Sequence, residues 1–477
     1  LSLLEDLVLG LLLASTLLLF TTQLNSHFTL PKLTVFAVLL VPLLALMLVR
    51  IRLGIFQVIP RMIWIPLLLL VAWWLIGSSQ SMHFSTALNG QYGRYNGLYA
   101  NLLLVTLFIA VASIPFEIRR LRRLLLALLV MALLVCCYTF IQYLGYDFIF
   151  KQLQSGRPFS SIGNPVALAV VLLLVIPYMV AAVVRAGGRT RSRVLLALLL
   201  VFSLLTMVLT KSRGPLLALI AALMLGGLLA TIYGQRLARD KRILVAIALV
   251  LLLVVLGASC YLGLCDSLFQ GQAVGMRLVY FQAALEMITA SPLFGYGFET
   301  FRLLYPLFRP LDDYTYGGTV VTPTMIHNDY LQLAVDNGLP SMVFYLVFVG
   351  AITWRLFRAV AKDPQQRAWH VAGLMMLTGF LVQGMSGWLE ISSSIMFWLM
   401  LGVSLSLALS SEGESNSRPQ QARYAYMTVA ISGVIAAIFI SGVMLQKLKA
   451  EYWLGQAQYY SKAIFTKTDQ YIDRIDK

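Results

Sequence analysis

The chain has 477 residues, 60% of them hydrophobic and only 12% charged, with a formal net charge of +16. A soluble domain carries about 25% charged residues, so this composition excludes a water-soluble globule. The apolar stretches are unbroken Leu, Val and Ala runs near the length that crosses ~30 Å of hydrocarbon, not the alternating pattern of a membrane β-barrel.

In chain order, spans are expected at 3–21, 31–49, 62–77, 97–113, 124–144, 165–184, 194–209, 214–233, 243–264, 338–354, 368–385, 393–410 and 425–446. Thirteen spans make this an all-α polytopic integral membrane protein. The first is read as a membrane helix rather than a signal peptide, because no small-residue cleavage site follows it. A chain starting at Leu1 rather than Met is expected to lack some N-terminal sequence.

The basic charge falls mostly in alternate turns: Arg50/Arg52/Arg61, Arg119/Arg120/Arg122/Arg123, Arg185/Arg189/Arg191/Arg193, Arg236/Arg239/Lys241/Arg242, Arg355/Arg358/Lys362/Arg367 and Arg418/Arg423. By the positive-inside rule these turns and the N-terminus are cytoplasmic. The charge is therefore a topology signal, and no nucleic-acid partner is expected. The four cysteines define no disulfide framework. Cys136 and Cys137 lie mid-span as packing residues, while Cys260 and Cys265 straddle a span end and could pair in an oxidising compartment.

This topology divides the chain into residues 1–264 with spans one to nine, a long outward loop 265–337, residues 338–446 with four more spans, and an outward tail 447–477. The other outward polar segments are 78–96, 145–163 and 210–214. Connections longer than about 15 residues are usually functional or disordered, and the composition of 265–337 is not disordered. Leu278, Phe281, Leu285 and Ile288 at helical spacing predict an amphipathic surface helix over 276–288. Tyr305, Phe308, Tyr314 and Tyr316 suit an interfacial lid. In the tail, Tyr452, Leu454, Tyr459 and Ile464 keep a helical period, and Trp453-Leu-Gly with Ala457 faintly echoes the opening of a helical-repeat region.

Five outward features can carry chemistry: Gly93-Arg94-Tyr95-Asn96-Gly97; Gly156-Arg157 through Gly163-Asn164-Pro165; Thr210-Lys211-Ser212-Arg213-Gly214; Arg277 with Gly295-Tyr-Gly297; and His327-Asn328-Asp329-Tyr330-Leu331. Lys211 and Arg213 sit in a turn at the hydrocarbon edge, where ionisable side chains are costly and often functional. A guanidinium binds phosphate oxygens bidentately and stays charged. Arg157, Lys211, Arg213 and Arg277 together would suit a diphosphate, and Arg94 is a further substrate-binding candidate. Each arginine also has a plainer reading as an anchor snorkelling to headgroups. His327 is either a helix-entrance hydrogen-bonding residue or a general base that deprotonates a hydroxyl. His27 and His83 are weaker candidates in short outer segments, and His370 is cytoplasmic. Asp312-Asp313 could hold a divalent cation, but no second acidic motif accompanies them. Glu299 and Glu390 are read as partners for arginines.

On Gly163-Asn164-Pro165, the Thr210-x-Ser212-Arg213-Gly214 turn, Arg277 opening a helix that ends in Pro292-Leu-Phe-Gly295-Tyr-Gly297, and His327-Asn328-x-Tyr330-Leu331 followed by Asn337-Gly338-Leu339, the chain resembles the O-antigen ligase and polymerase superfamily. These motifs cover about 180 residues in the same order, with a compatible number of spans. The resemblance implies a GT-C-like helical fold in a bacterial inner membrane, an active site on the periplasmic face and an undecaprenyl-diphosphate-linked glycan donor. It also implies inverting transfer to an acceptor hydroxyl with no metal or cofactor. Carried over, His327 is the acceptor-activating base, Arg213 and Arg277 hold the donor diphosphate, and Arg157, Lys211, Arg94, Asn328 and Tyr330 complete substrate binding. The partners are then the lipid-linked donor, membrane lipids and a glycan, lipid or protein acceptor. A thirteenth span and an outward tail depart from the usual ligase pattern, so a ligase, a polysaccharide polymerase and a protein O-oligosaccharyltransferase all stay open. A transporter or flippase would need inverted repeats and ionisable residues deep in the spans. The sequence has neither.

Overall fold

A computed structural model describes residues 1–147, 149–150, 156–186, 190–233, 272–313, 322–387, 390–411 and 420–475, without side chains for 272–274 and 459–475. Fifteen α-helices are numbered here in chain order. They are α1 (Ser2–Leu18), α2 (Thr29–Leu53), α3 (Arg61–Ser79), α4 (Phe84–Asn89), α5 (Leu98–Ala112), α6 (Ile118–Tyr143), α7 (Pro165–Arg185), α8 (Thr190–Leu209) and α9 (Arg213–Tyr233). After the undescribed segment come α10 (Gln272–Ala290), α11 (Phe301–Leu304), α12 (Asp329–Lys362), α13 (Arg367–Gly384), α14 (Ile391–Ser411) and α15 (Gln420–Ile475). The described residues contain no strand. Nine of these helices are long and apolar enough to cross a membrane, and α5 is a shorter apolar helix. The protein is an all-α polytopic membrane protein. The expected span at 243–264 lies outside the described residues, as do Cys260, Cys265, Tyr314 and Tyr316.

The bundle is organised around α14, whose residues from Ile391 to Leu409 are all buried. It packs on α5, α7 and α12, while α13 packs on α7 and α9, α3 on α12, and α15 on α2. A helix buried on every side can be apolar all round, as α7 nearly is, whereas α14 also buries Ser392, Ser393, Ser394, Ser404 and Ser406. Cys136 is buried against the bundle, whereas Cys137 is exposed on its outside.

One end of the bundle is tied by ions. Glu5 is fully buried between Arg50, with NH2 to Oε2 at 2.8 Å, and Arg120, with NH1 to Oε2 also at 2.8 Å. Arg120 Nε also reaches Asp6 at 2.7 Å. Two of the arginines read as topology signals therefore also clamp α1, α2 and α6 together. Removing one partner of such a buried network typically costs about 3–5 kcal/mol.

At the other end α10 forms a second, smaller core with α11 and the start of α12. Val279, Tyr280, Ala283, Ala284 and Met287 pack against Phe301, Tyr305, Ile326, Ala334 and Val335. This splits the expected stripe of the surface helix: Ile288 is buried in this core and Phe281 packs against it, while Leu278 and Leu285 are exposed and Ala283 and Ala284 are buried in their stead. The helix has apolar residues on both sides.

The helical path of α12 breaks at Asn337 and Gly338, where Gly338 takes φ 78°. The turn after α10 fills the break: Tyr296 and Gly297 donate backbone N–H to Val335 and Asp336 carbonyls at 3.0 and 2.7 Å, and Leu339 N–H donates to Pro292 O at 2.8 Å. A Cβ on Gly338 would sit 1.9 Å from the Leu293 carbonyl oxygen. Only glycine combines that approach with a left-handed backbone.

Candidate functional site

Two asparagine caps start the site. Asn164 accepts hydrogen bonds from Val166 and Ala167 N–H at the start of α7, with Pro165 in the first turn, where its missing N–H costs nothing. Asn328 does the same for α12, accepting from Tyr330 at 3.0 Å and Leu331 at 3.1 Å. Each cap is preceded by a left-handed residue: Gly163 at φ 95° and His327 at φ 63°. Non-glycine residues rarely adopt this conformation and cluster at functional sites.

The tight turn between α8 and α9 is held from outside. Arg157 Nε donates to Thr210 O at 2.7 Å and its NH2 to Ser212 Oγ at 2.8 Å. Ser212 Oγ in turn donates to Pro165 O at 3.3 Å, tying the turn to the first cap. Lys211, at φ 51°, is exposed on this turn, and Arg213 opens α9 beside it. Burial and then the neighbouring charge of Arg213 push the pKa of Arg157 down. The same two causes act on Arg277 at the start of α10. Arg157, Arg213 and Arg277 therefore form one electrostatically coupled cationic cluster, built from three separate elements.

His327 lies next in this sequence of charges. Its imidazole stacks on Tyr280 of α10 with centroids 6.3 Å apart and planes 21° from parallel. Burial pushes its pKa down to about 4, with Arg277 and then Arg94 adding to the effect. At neutral pH the ring is uncharged, as an acceptor of a proton must be.

A cavity opens beneath His327, lined by Arg94, Asn96, Asn101, Glu299, Asp336 and the start of α12. It encloses about 120 Å³, against ~300–1,000 Å³ for a pocket that takes in a drug-sized ligand. It fits one end of a substrate rather than an oligosaccharide. Arg94 Nε pairs with Glu299 Oε1 at 2.6 Å, and its NH1 contacts Met325 Sδ at 3.3 Å. Burial opposes the charge on Arg94, but Glu299, with smaller contributions from Glu390 and Asp336, outweighs it and raises the pKa. Glu299 is itself left-handed, at φ 57°, and accepts the Gln91 N–H at 2.7 Å. Buried Asp336 accepts from Gln332 Nε2 at 2.9 Å.

The structure thus brings His327, Arg277, Arg213 and Arg157 within electrostatic reach of one another in turn, with Arg94 lining the cavity that His327 also lines. Asn328 and Tyr330 have fold contacts as well as a place at the cavity wall. Asn328 Nδ2 donates to Met385 O at 3.2 Å, and the Tyr330 hydroxyl donates to Leu381 O at 2.7 Å. Asp313 is buried and ion-paired with Arg309 at 3.2 Å rather than acting jointly with Asp312. Among the described residues no group of three or more His, Cys, Asp or Glu could hold a metal ion.

Sequence reasoning missed two parts of the site. One is the end of α13, residues 381–387, read only as the end of a span. A Cβ on Gly214 would lie 2.6 Å from Ser386 Oγ, and one on Gly384 would lie 3.4 Å from Asp329 Oδ2. This segment is therefore the contact between the Arg213 turn and the His327 helix. Its small residues, Gly384-Met-Ser-Gly387, were the available signal. The other is the buried acid Asp336, which followed a helical motif too closely to stand out.

No curated protein matches this chain in sequence. A family model described as O-antigen ligase matches residues 198–346, the stretch that carries the Arg213 turn, Arg277 and His327, and this match supports the resemblance to the O-antigen ligase and polymerase superfamily.

Proposed function

We propose that the protein is a glycosyltransferase that moves a glycan from an undecaprenyl-diphosphate-linked donor to an acceptor hydroxyl at the outer face of the cytoplasmic membrane. The observation that carries this reading is the coupling of a neutral, half-buried His327 to the Arg213–Arg277 cluster. The two arginines bind the donor diphosphate, and His327 faces the acceptor. The acceptor oxygen attacks the anomeric carbon, His327 takes the hydroxyl proton, and the carbon–oxygen bond to phosphate breaks, its electron pair leaving on the diphosphate. The arginines stabilise that developing charge, a preorganised electrostatic role. Attack opposite the leaving group inverts the anomeric centre.

An imidazole with a pKa near 4 is always available but weakly basic. Donor binding corrects this. A diphosphate neutralises the charge of Arg277, removing one of the causes that hold the imidazole down. The base therefore strengthens when the donor arrives.

The arginine cluster supplies the positive charge that a divalent cation would otherwise bring, which supports a metal-independent reaction; a chelator is expected to leave the rate unchanged, and a loss restored by Mg²⁺ would overturn that part of the reading. The small cavity accepts one end of an acceptor and favours neither ligase, polymerase nor protein O-oligosaccharyltransferase. The test is His327→Ala in purified protein with lipid-linked donor. Transfer is expected to vanish while membrane insertion and melting temperature hold; retained transfer would remove His327 as the base.

A further inference from the structure

The turn that carries Arg94 is strained, and its strain is held by the far end of the chain. Tyr95 has φ 53° and is buried. A left-handed non-glycine residue costs of order 1–3 kcal/mol and persists only where its surroundings over-determine it. Here the surroundings are the outward continuation of α15. The Tyr95 hydroxyl donates to Glu451 Oε1 at 3.1 Å, and Lys447 Nζ lies 5.3 Å from the Tyr95 ring centroid. Lys447 also donates to Asn89 Oδ1 at 2.7 Å, at the other side of the same turn. Burial and then Glu451 push the Tyr95 phenol up, and both act on Tyr92, whose ring stacks edge-on against Tyr95 at 6.1 Å.

These contacts have helical order. Lys447, Glu451 and Gly455 are spaced i, i+4, i+8, so they share one face of α15. Gly455 completes the stripe because a Cβ there would lie 3.0 Å from the Gln23 carbonyl oxygen. Glu451 is buried, while its neighbours Tyr452, Trp453 and Leu454 are exposed. The tail helix therefore meets the body of the protein through a narrow polar seam, set against the turn that aims Arg94 at Glu299 and Met325.

We propose that Glu451 is a positioning residue for the transfer site: through Tyr95 it holds the 90–97 turn in its strained form, and so fixes Arg94 against Glu299 at the cavity wall beneath His327. Glu451 touches no substrate. Its effect passes through two adjacent residues, Tyr95 and Arg94, and the tail becomes part of the catalytic architecture. This deepens the transferase reading and rests on it.

The test compares Glu451→Ala, Glu451→Gln and Tyr95→Phe in the full chain, reconstituted in lipid, by two independent readouts. Backbone hydrogen exchange across 89–97 and 325–327 reads the clamp without any activity. It is expected to rise in Glu451→Ala and Tyr95→Phe and to stay at the parent level in Glu451→Gln, whose amide oxygen still accepts from the hydroxyl. The pH dependence of transfer reads the consequence: with Arg94 loosened, the acid limb of kcat/KM moves upward and turnover falls about 5-fold, and both recover in Glu451→Gln. Unchanged exchange in Glu451→Ala overturns the clamp. Raised exchange with an unmoved acid limb overturns its link to His327. A parent protein with no transfer at all defeats the transferase reading, and the exchange measurement still decides the clamp.

Discussion

Arg277 on α10 and His327 before α12 are 50 residues apart in sequence, yet the charge of the first helps hold the ring of the second neutral. Burial is the larger cause, and Arg94, which lines the same cavity, adds to it. The facing carboxylates Glu299, Asp329 and Asp336 line the same cavity.

This relationship gives a pH prediction. The lowered pKa means that the free protein keeps His327 unprotonated until the pH falls through about 4. The acid limb of kcat/KM, which reports the free enzyme, is expected near that value. On the proposed mechanism the limb of kcat should lie higher, because a bound diphosphate would screen Arg277. Arg277→Gln should lower the rate and move the kcat/KM limb upward, toward the ordinary histidine value of about 6.5. A limb that stays in place in this variant would show that Arg277 does not act on His327.

Arg213→Lys should keep the fold and lose turnover by roughly 10–100-fold, since a lysine replaces a planar bidentate contact with a point charge and a charge-assisted hydrogen bond is worth about 1.5–3 kcal/mol. Steady-state transfer from a lipid-linked donor measures it. Near-parent turnover would leave Arg213 as a membrane anchor.

Arg157 and Ser212 should behave as one unit. Arg157→Ala removes the bonds to Thr210 O and Ser212 Oγ, and Ser212→Ala removes one of these plus the link to Pro165. Each is expected to lower the rate, and the double variant should lose less than the product of the single losses, because neighbours in one network are not additive. Simple multiplication of the two effects would argue that Arg157 meets the substrate independently of the turn.

Gly338→Ala is expected to be poorly folded. The new Cβ would collide with the backbone at Leu293 while the residue held φ 78°. Thermal denaturation in detergent reads the loss, and Gly350→Ala, which meets nothing within 4 Å, is the control that should melt like the parent.

Hydropathy and local chemistry made much of this protein legible. An apolar run long enough to span is sufficient to name a helix in lipid, because every backbone group must be satisfied within the segment. Gly163-Asn164-Pro165 likewise announces a helix start on its own, since a cap is completed within four residues. The hydrogen bonds of Arg157, the choice of Arg94 as the arginine that pairs with Glu299 and the hub at 381–387 were not legible, for each joins segments tens to hundreds of residues apart. The buried face of α10 was only half legible for the same reason: Phe281 and Ile288 do pack in its core, but Leu278 and Leu285 are exposed, because both sides are apolar and only the partner helix distinguishes them.

The sequence by itself therefore determined the all-helical membrane architecture, its orientation signals and the residue types at the helix ends, all of which follow from short-range hydrophobicity, charge and capping. Only the tertiary structure decided that burial lowers the pKa of His327, that three arginines from three elements act as one cluster, and that α15 beyond Lys447 meets the Arg94 turn. Those properties depend on burial and on distances between charges, and both are set by how the helices pack rather than by any segment alone.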